Sequence, residues 1–518
     1  MSVARRERPL LEMAIIAGPS IATMTSHTLM QFADKLMIKD IGPEPVYVAA
    51  QGNGGILVWL LMAFALGALG VVNSFVSQNL GAGKAERGAG YAWTAMWLAL
   101  AWAAVVMIPA SLLVGPFYRA LGHDGLLLEL ETSYAQIVIA GGVFTLLART
   151  ISHYFYGLHR PWVVLGSALA GNVVNVIGNA LLIFGEGGPP DWIPGHALLG
   201  EVAAGLGIPA MGIAGAAIAT VVGGLVEFVI PLVLFLSKRH DEKFKTRHAW
   251  RPRAKEAADL LRIGWPAGMM FVNELACWSL LMVVLVPAGA EARALAMGLE
   301  GGAVTTHRDA ASTAGWIALQ YMHLSFMPAV GLSIATQALV GKAMGEGRPD
   351  AAAARTWLAL RVAMVYMGLC ALVFVLLRED LIAVFIDQET PADQRAMVVG
   401  VGAAVMIAAA VFQVFDAVAI VLSAALRGAG DTVWPGVATL ILSWLCIPGA
   451  GWLLIELAPM LGSIGPWAGA SGYIVLLGAV LMLRFLGGRW RRMTLVEREG
   501  LAALPSDEVT PGAATGAI

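Results

Sequence analysis

The sequence predicts an all-α polytopic membrane protein: 12 transmembrane helices in two six-helix lobes related by a parallel internal repeat. Three observations carry this reading. Of 518 residues, 58% are hydrophobic and only 13% charged, about half the roughly 25% of a soluble domain. Twelve stretches are apolar enough to span a bilayer, which takes about 20 residues. The second half of the chain also repeats motifs of the first. Composition excludes other classes as well: a net charge of −2 gives no reason to expect nucleic acid. Cys277, Cys370 and Cys446 lie in apolar runs, where a thiol is a small hydrophobe rather than a bridge or ligand.

The spans follow in order. The first, 13–38, contains Gly18-Pro19 and carries Asp34 near its far end; it is too long for a signal-peptide core and reads as a span. The second, 48–78, leads into Gly81-Ala82-Gly83. Spans three to six are 91–115, 130–156 (with Arg149), 162–184 (with Asn172, Asn175 and Asn179) and 211–236 (with Thr220). The seventh, 259–286, holds Trp265-Pro266 and Glu274. The last five are 314–340, 354–377, 397–426 (with Asp416), 433–457 and 466–486. Residues 1–236 then form an N-lobe, 237–258 a cytoplasmic linker, and 259–492 a C-lobe. Residues 493–518 form a disordered cytoplasmic tail, too poor in apolar periodicity to fold alone.

Lysine and arginine set the orientation. The termini and the loops on their side hold 25 of the 33 basic residues, the opposite side holds seven, and Arg149 lies within a span. By the positive-inside rule both termini are cytoplasmic, and the expected location is the inner cell membrane.

The halves are copies. An offset of 264 pairs Ala65, Gly67, Val76, Gly81 and Gly83 with Ala329, Gly331, Val340, Gly345 and Gly347. Lys84 then meets Arg348 and Glu86 meets Asp350, so both copies read G-x-G-[K/R]-x-[E/D], a pattern expected to form a helix C-cap and tight turn. Pro19 meets Pro266 at an offset of 247, Ser152 and Gly157 meet Ser423 and Gly428 at 271, and Gly212 and Gly215 meet Gly462 and Gly465 at 250. The changing offset places insertions near 287–311 and 185–210. Six spans per copy make the repeat parallel, the arrangement of secondary transporters whose site lies at the repeat interface.

Three carboxylates stand out inside the spans: Asp34, Glu274 and Asp416. A charge at the bilayer centre costs at least about 2.5–3.5 kcal/mol, so it faces a cavity or a partner. Helical spacing puts His27 and Met30 on the face of Asp34, Phe271 and Trp278 beside Glu274, and Phe412 beside Asp416. Aromatic surface next to a carboxylate suits a lipophilic cation. The alternative is that each acid only hydrogen-bonds a neighbouring helix, or that Asp34 reaches outward beside Lys35. Two acids close together cannot both stay ionised cheaply, so they share a proton or bind a metal cation. Asn175 and Asn179 share a face and, with Thr220, make either interhelical bonds or a second polar cluster near Asp34. Arg149 requires a counter-charge or carbonyls, its partner not named by the sequence, and His153 and His159 are expected to face water or headgroups.

Taken together, these residues resemble the multidrug and toxic compound extrusion (MATE) family, in particular its NorM-type branch. The matching stretches are Phe32-Ala-Asp34, Val76-Ser-Gln-Asn-Leu-Gly-Ala-Gly83 and Gly212-Ile-Ala-Gly-Ala-Ala-Ile-Ala-Thr220 in the first half. In the second half they are Pro266 with Glu274, Leu339-Val-Gly-Lys-Ala-Met-Gly-Glu-Gly347, and Phe412-Gln-Val-Phe-Asp416 running to Leu426-Arg-Gly-Ala-Gly-Asp431. The resemblance covers residues 9 to 492. It implies two lobes in a V around a central cavity and cation-driven drug antiport. Asp34 would be the first-helix acid of the N-lobe, surrounded by Asn175, Asn179 and Thr220. Glu274 and Asp416 would form the C-lobe cation site, as candidate Na+ ligands. Asn179 stands where some relatives have Asp, and Phe412 where a Tyr lines the C-lobe site, so Na+ and H+ both stay open as coupling ion.

The resulting expectation is an antiporter, not an enzyme, that exports amphipathic cationic drugs or metabolites in exchange for Na+ or H+. It would work as a monomer in the bilayer, without a cofactor, with Phe271, Trp278, Phe412, Met30 and His27 lining the substrate cavity. A lipid-linked oligosaccharide flippase is the nearest rival, but it needs a more cationic cavity than Arg149 alone supplies. An integral-membrane enzyme would need a motif such as H-E-x-x-H or G-x-S-x-G, and the spans contain neither. A channel is a third alternative.

Overall fold

Each of the twelve apolar stretches is helical to within one residue of its expected limits in the computed structural model, which describes residues 9–42, 46–386 and 390–496. We number the spanning helices α1 (Pro9–Lys39), α2 (Val46–Gly81), α3 (Arg87–Ala120), α4 (Gly125–Gly157), α5 (Pro161–Gly187) and α6 (Gly212–Phe235). The second set is α7 (Ala254–Ala296), α8 (Gly302–Gly345), α9 (Pro349–Leu376), α10 (Ala392–Ala429), α11 (Val433–Leu457) and α12 (Ile464–Leu486). Eleven of these, all but α1, are long and apolar enough to cross a membrane. No strand occurs among the described residues.

Where the chain would otherwise strain, the helices change pitch. Gly70 interrupts α2, with α-helix on either side at Val46–Leu69 and Val72–Gly81. Single π turns occupy Ala103–Met107 in α3, Leu281–Leu285 in α7 and Leu445–Ala450 in α11. Each contains a proline or ends two residues before one: Pro448 lies within the third, and Pro109 and Pro287 follow the first two. Proline lacks the N–H that would bond the carbonyl four residues back and clashes with it, and a wider turn absorbs both faults.

The insertions are structured. Helix α7 runs to Ala296 and α8 starts at Gly302, so the extra residues near 287–311 lengthen two spans. Helix α8 has 44 residues, about 66 Å at 1.5 Å per residue. The 185–210 segment holds a short helix, His196–Leu206, and the indole of Trp192 donates to Asp40 Oδ2 at 2.6 Å at the end of α1. In the basic stretch after α6, a helix at Lys238–Phe244 folds back on α3, where Trp93 Nε1 donates to the Thr246 carbonyl at 2.8 Å. The stretch expected as a tail begins ordered. The amide of Leu495 donates to Gln78 Oε1 at 2.8 Å and Val496 is buried, while residues 497–518 lie outside the described set.

Within each lobe the same neighbours touch: α2 with α4 and α8 with α10, α4 with α6 and α10 with α12. Across the lobes α1 packs on α8 and α2 on α7, the exchange a two-fold repeat requires. Glycines permit this closeness and show its symmetry. A Cβ on Gly81 would strike the Lys342 carbonyl, and one on Gly345 would strike the Gln78 carbonyl. Gln78 and Lys342, like the two glycines, are 264 residues apart. Likewise Gly67 abuts Ala267 and Gly268, and its mate Gly331 abuts Ser20 and Ile21. The first glycine of each G-x-G therefore meets the other lobe. The second makes the expected turn, since Gly83 and Gly347 each have φ +72° and are followed by Lys84 N donating to Asn79 O and Arg348 N to Ala343 O, both at 2.9 Å.

Candidate functional site

In the N-lobe, α1 brings Asp34 against α5. Asn179 Nδ2 donates to Asp34 Oδ1 at 2.6 Å and lies 3.4 Å from Asn175 Oδ1, while Asn175 Nδ2 lies 3.4 Å from Thr220 Oγ1 on α6. The Thr220 hydroxyl itself donates to the Ala216 carbonyl at 2.9 Å. Asp34 is 6% exposed and Asn179 0%, so the carboxylate is enclosed by amides and hydroxyls rather than by cations. Asn175 and Asn179 meet it because one helical turn separates them on α5. Tyr134 of α4, which sequence reasoning missed, lies within electrostatic reach of Asp34 and beside Thr220.

His27, expected on the cavity wall with Asp34, is placed elsewhere. It is buried, with Nε2 3.0 Å from Arg149 Nη1 and 3.4 Å from Glu227 Oε1. Arg149 Nη1 is 3.8 Å from the same Glu227 oxygen. The counter-charge Arg149 required is therefore Glu227 of α6, a fourth acid within the spans. The same signal that singled out Asp34, one acid in an apolar run, was available for it. Met30, on the same helix, is half-buried.

In the C-lobe, Glu274 of α7 and Asp416 of α10 are half-buried and within electrostatic reach of each other. Neither forms a salt bridge among the described residues. The Tyr473 hydroxyl of α12 is buried, has no hydrogen-bond partner among the described residues, and lies within reach of both acids. Around them, Asn273 Nδ2 donates to Ser443 Oγ at 2.7 Å and Trp444 Nε1 donates to Asn273 Oδ1 at 2.8 Å. Two carboxylates and a buried phenol lie within electrostatic reach of one another, and no group of three or more acidic, histidine or cysteine side chains that could hold a metal ion occurs among the described residues.

Of the aromatic residues expected to line the cavity, Phe271 is 45% exposed and Trp278 packs at 6.2 Å on Trp467. Phe412 is 4% exposed and sits in the hydrophobic core of the C-lobe, not on a cavity surface. Its helical register shares a face with Asp416, but α10 is enclosed by α8, α9 and α12, so that face is covered.

Arg427, counted as a loop charge in the sequence, is in α10, with Nη1 bonded to Ser423 Oγ at 3.2 Å and Glu274 within electrostatic reach. His153 and His159 face protein rather than water. The Nδ1 of His153 is buried without a partner among the described residues, and His159 Nε2 donates across the lobes to the Ala338 carbonyl at 3.1 Å. Burial, the largest cause, and Lys342 nearby hold His159 at about 4, well below the ordinary histidine value; its bond to Ala338 opposes them.

Comparison with known proteins adds a family pattern. The MatE family model matches residues 19–181 and 305–452. The chain is 27% identical over 486 residues to "Probable multidrug resistance protein NorM" of Mesorhizobium japonicum, covering 91% of this chain and 92% of the relative. It is 25% identical over 484 residues to "Multidrug resistance protein NorM" of Burkholderia vietnamiensis, covering 92% and 94%. Among solved structures, an outward-facing multidrug resistance MATE transporter of the MOP superfamily aligns with TM-score 0.78 at 18% identity, covering 94% of this chain and 98% of that one. A MOP superfamily transporter from Pyrococcus furiosus aligns with TM-score 0.79 at 19% identity, covering 94% and 98%. At these identities the structural likeness establishes the fold.

Proposed function

The chain belongs to the MatE family, and from that premise we propose that it is a multidrug efflux antiporter of the inner cell membrane, exporting amphipathic cationic compounds in exchange for Na+ or H+. In this reading both termini are cytoplasmic, the protein acts as a monomer, and the coupling ion is cargo rather than a resident cofactor. One contrast supports it above the rest. Glu227, Asp431 and Glu12, which fasten helices, are each paired with an arginine: Arg149, Arg484 and Arg355. Asp34, Glu274 and Asp416 pair with none among the described residues. A carboxylate in a membrane bundle with no salt-bridge partner, even where Arg427 stands within electrostatic reach of Glu274, is costly to keep as a structural element and is suited to a cation that arrives and leaves.

The mechanism follows from the placement. An ion entering at Glu274 and Asp416 neutralises two neighbouring acids that repel each other. Loading favours one arrangement of the lobes and removes the charge that holds a cationic drug beside the exposed ring of Phe271. Antiport requires that ion and drug prefer different arrangements, since a ligand shifts an equilibrium only by its differential affinity. Asp34, held by amides alone, offers the N-lobe a second loading point.

The test is efflux from proteoliposomes with sodium and proton gradients imposed separately. Glu274→Gln and Asp416→Asn are expected to abolish gradient-driven efflux while the purified proteins remain monodisperse. Wild-type rates in both variants would sink the mechanism.

A further inference from the structure

The far end of the N-lobe holds an acid that the coupling carboxylates leave unexplained. Glu131 of α4 is 0% exposed. Its Oε1 lies 2.6 Å from Nδ1 of His123, which sits in the connection between α3 and α4 and keeps 28% of its side chain exposed. The other oxygen accepts a bond from Asn53 Nδ2 of α2 at 3.1 Å. The imidazole stacks on Tyr118 of α3, with ring centroids 5.5 Å apart and an interplanar angle of 10°. A purely structural pair would be served by lysine or arginine. Here the partner is an imidazole, which can donate a proton at one nitrogen and accept one at the other, and it joins an enclosed carboxylate to solvent.

Polar groups continue inward from Glu131. Tyr134 lies one helical turn further along the same face of α4, beside Gln51 of α2 and Thr220 of α6, and within electrostatic reach of Asp34. Thr220, Asn175 and Asn179 then lead to Asp34 through the contacts of 3.4, 3.4 and 2.6 Å already described. Tyr118 Oη, on the ring that stacks on His123, and Gln51 Oε1, on the side chain beside Tyr134, are buried oxygens with no hydrogen-bond partner among the described residues. Oxygens left unpaired in this way line a polar path through an otherwise apolar lobe.

We infer that His123 and Glu131 form a proton-loading site that feeds Asp34. His123 takes a proton from bulk water at Nε2 as its Nδ1 proton passes to the Glu131 carboxylate, leaving a neutral imidazole and a neutral acid. The acid gives that proton to the Tyr134 hydroxyl as the hydroxyl releases its own toward Asp34. One proton leaves the bulk, one arrives on Asp34, Glu131 and Tyr134 return to their starting forms, and His123 is left as its Nε2–H tautomer, which regains the Nδ1–H form by proton exchange with bulk water before the next cycle. The charge balance leaves these two groups in control. Tyr118 is the titratable side chain that faces the pair from α3, α2 contributes the amides Gln51 and Asn53 and carries no charged residue, and the neighbouring Arg119, Asp124 and Glu129 are exposed. The charge asymmetry of the loops puts His123 on the external side, where an antiporter takes up its driving proton.

This inference rests on Asp34 exchanging protons, and the experiment separates the two. Ethidium is the probe, followed in proteoliposomes both as transport driven by an imposed pH gradient and as gradient-free ethidium exchange. Glu131→Gln should slow driven transport about tenfold or more with exchange close to wild type, and Glu131→Asp should restore it. His123→Gln should flatten the pH dependence of driven transport. If Glu131→Gln keeps the wild-type rate and pH profile while Asp34→Asn is inactive, the relay is overturned and the role of Asp34 stands. If Asp34→Asn also transports as wild type, both fall. Equal loss of exchange and driven transport in Glu131→Gln and Glu131→Asp would make Glu131 structural and overturn the relay.

Discussion

At the scale of single residues, Asp34 and Glu227 are the same chemistry in different company. Both are buried acids in apolar helices, but Glu227 receives Arg149 and His27 whereas Asp34 receives an amide. Removing one member of an enclosed pair leaves the other uncompensated, so Glu227→Gln should be destabilising by about 1–3 kcal/mol, the lower part of that range applying because Arg149 is partly exposed. Thermal unfolding followed by tryptophan fluorescence in detergent checks this, and Glu227→Leu combined with Arg149→Met should cost less than Glu227→Gln alone. The sequence singled out Asp34, Glu274 and Asp416 because one charge in an apolar run is visible without a fold. It gave no sign that His27 turns from Asp34 toward Glu227, since both faces of α1 are occupied and only the neighbours decide which is which. Tyr473 and Tyr134 carried no local signal either, because a tyrosine in a membrane helix is ordinary until an acid is brought beside it.

At the scale of helices, glycine positions divide by what faces them. Gly345 of α8 presents its missing side chain to the Gln78 backbone, which cannot rotate away, whereas Gly368 of α9 has no neighbour within 4 Å of its would-be Cβ. Gly368→Ala should therefore stabilise by up to about 1 kcal/mol through helix propensity. Gly345→Ala should lower the melting temperature and loosen the contact between α2 and α8, read as faster cross-linking of a bulky maleimide at an engineered cysteine in place of Ser77. Equal effects of the two substitutions would mean the seam is not close-packed. The repeat that pairs Gly81 with Gly345 was legible from spacing. That the first glycine of each motif touches the other copy was not, because a helix cap and a helix crossing ask for the same residue for different reasons.

At the scale of the whole molecule, the lobes are tied at the end bearing both described termini. Ser74 Oγ donates to the Arg427 carbonyl at 2.8 Å, Gln78 Nε2 to the Gly428 carbonyl at 2.9 Å, Gln337 Nε2 to Ser74 Oγ at 2.9 Å, and His159 to Ala338. Leu495 caps the seam beside Gln78 and Gly430. This end of the molecule is sensitive to acid. Burial holds His159, and also His240 with Arg160 and Lys243 nearby, at about 4 when folded, against about 6.5 unfolded. A histidine held low in the folded state contributes nothing unfavourable above pH 6.5, and stability is lost as pH falls from about 6.5 toward 4, where the unfolded chain binds more protons. Melting temperature should drop across that window, and His159→Gln should flatten the drop; an unchanged slope would remove His159 from the account. By itself the sequence determined the membrane class, the twelve spans, their charge asymmetry, the repeat and three acids inside spans, because each is a property of composition or of residues close along the chain. Only the tertiary structure decided which acids are neutralised by arginine, that Phe412 is core rather than cavity wall, and that glycines and His159 fasten one lobe to the other. Those outcomes depend on side chains brought together from different helices, 53 residues or more apart along the chain, where the free energy of burying a charge or closing a backbone contact is set by whatever the other helix brings.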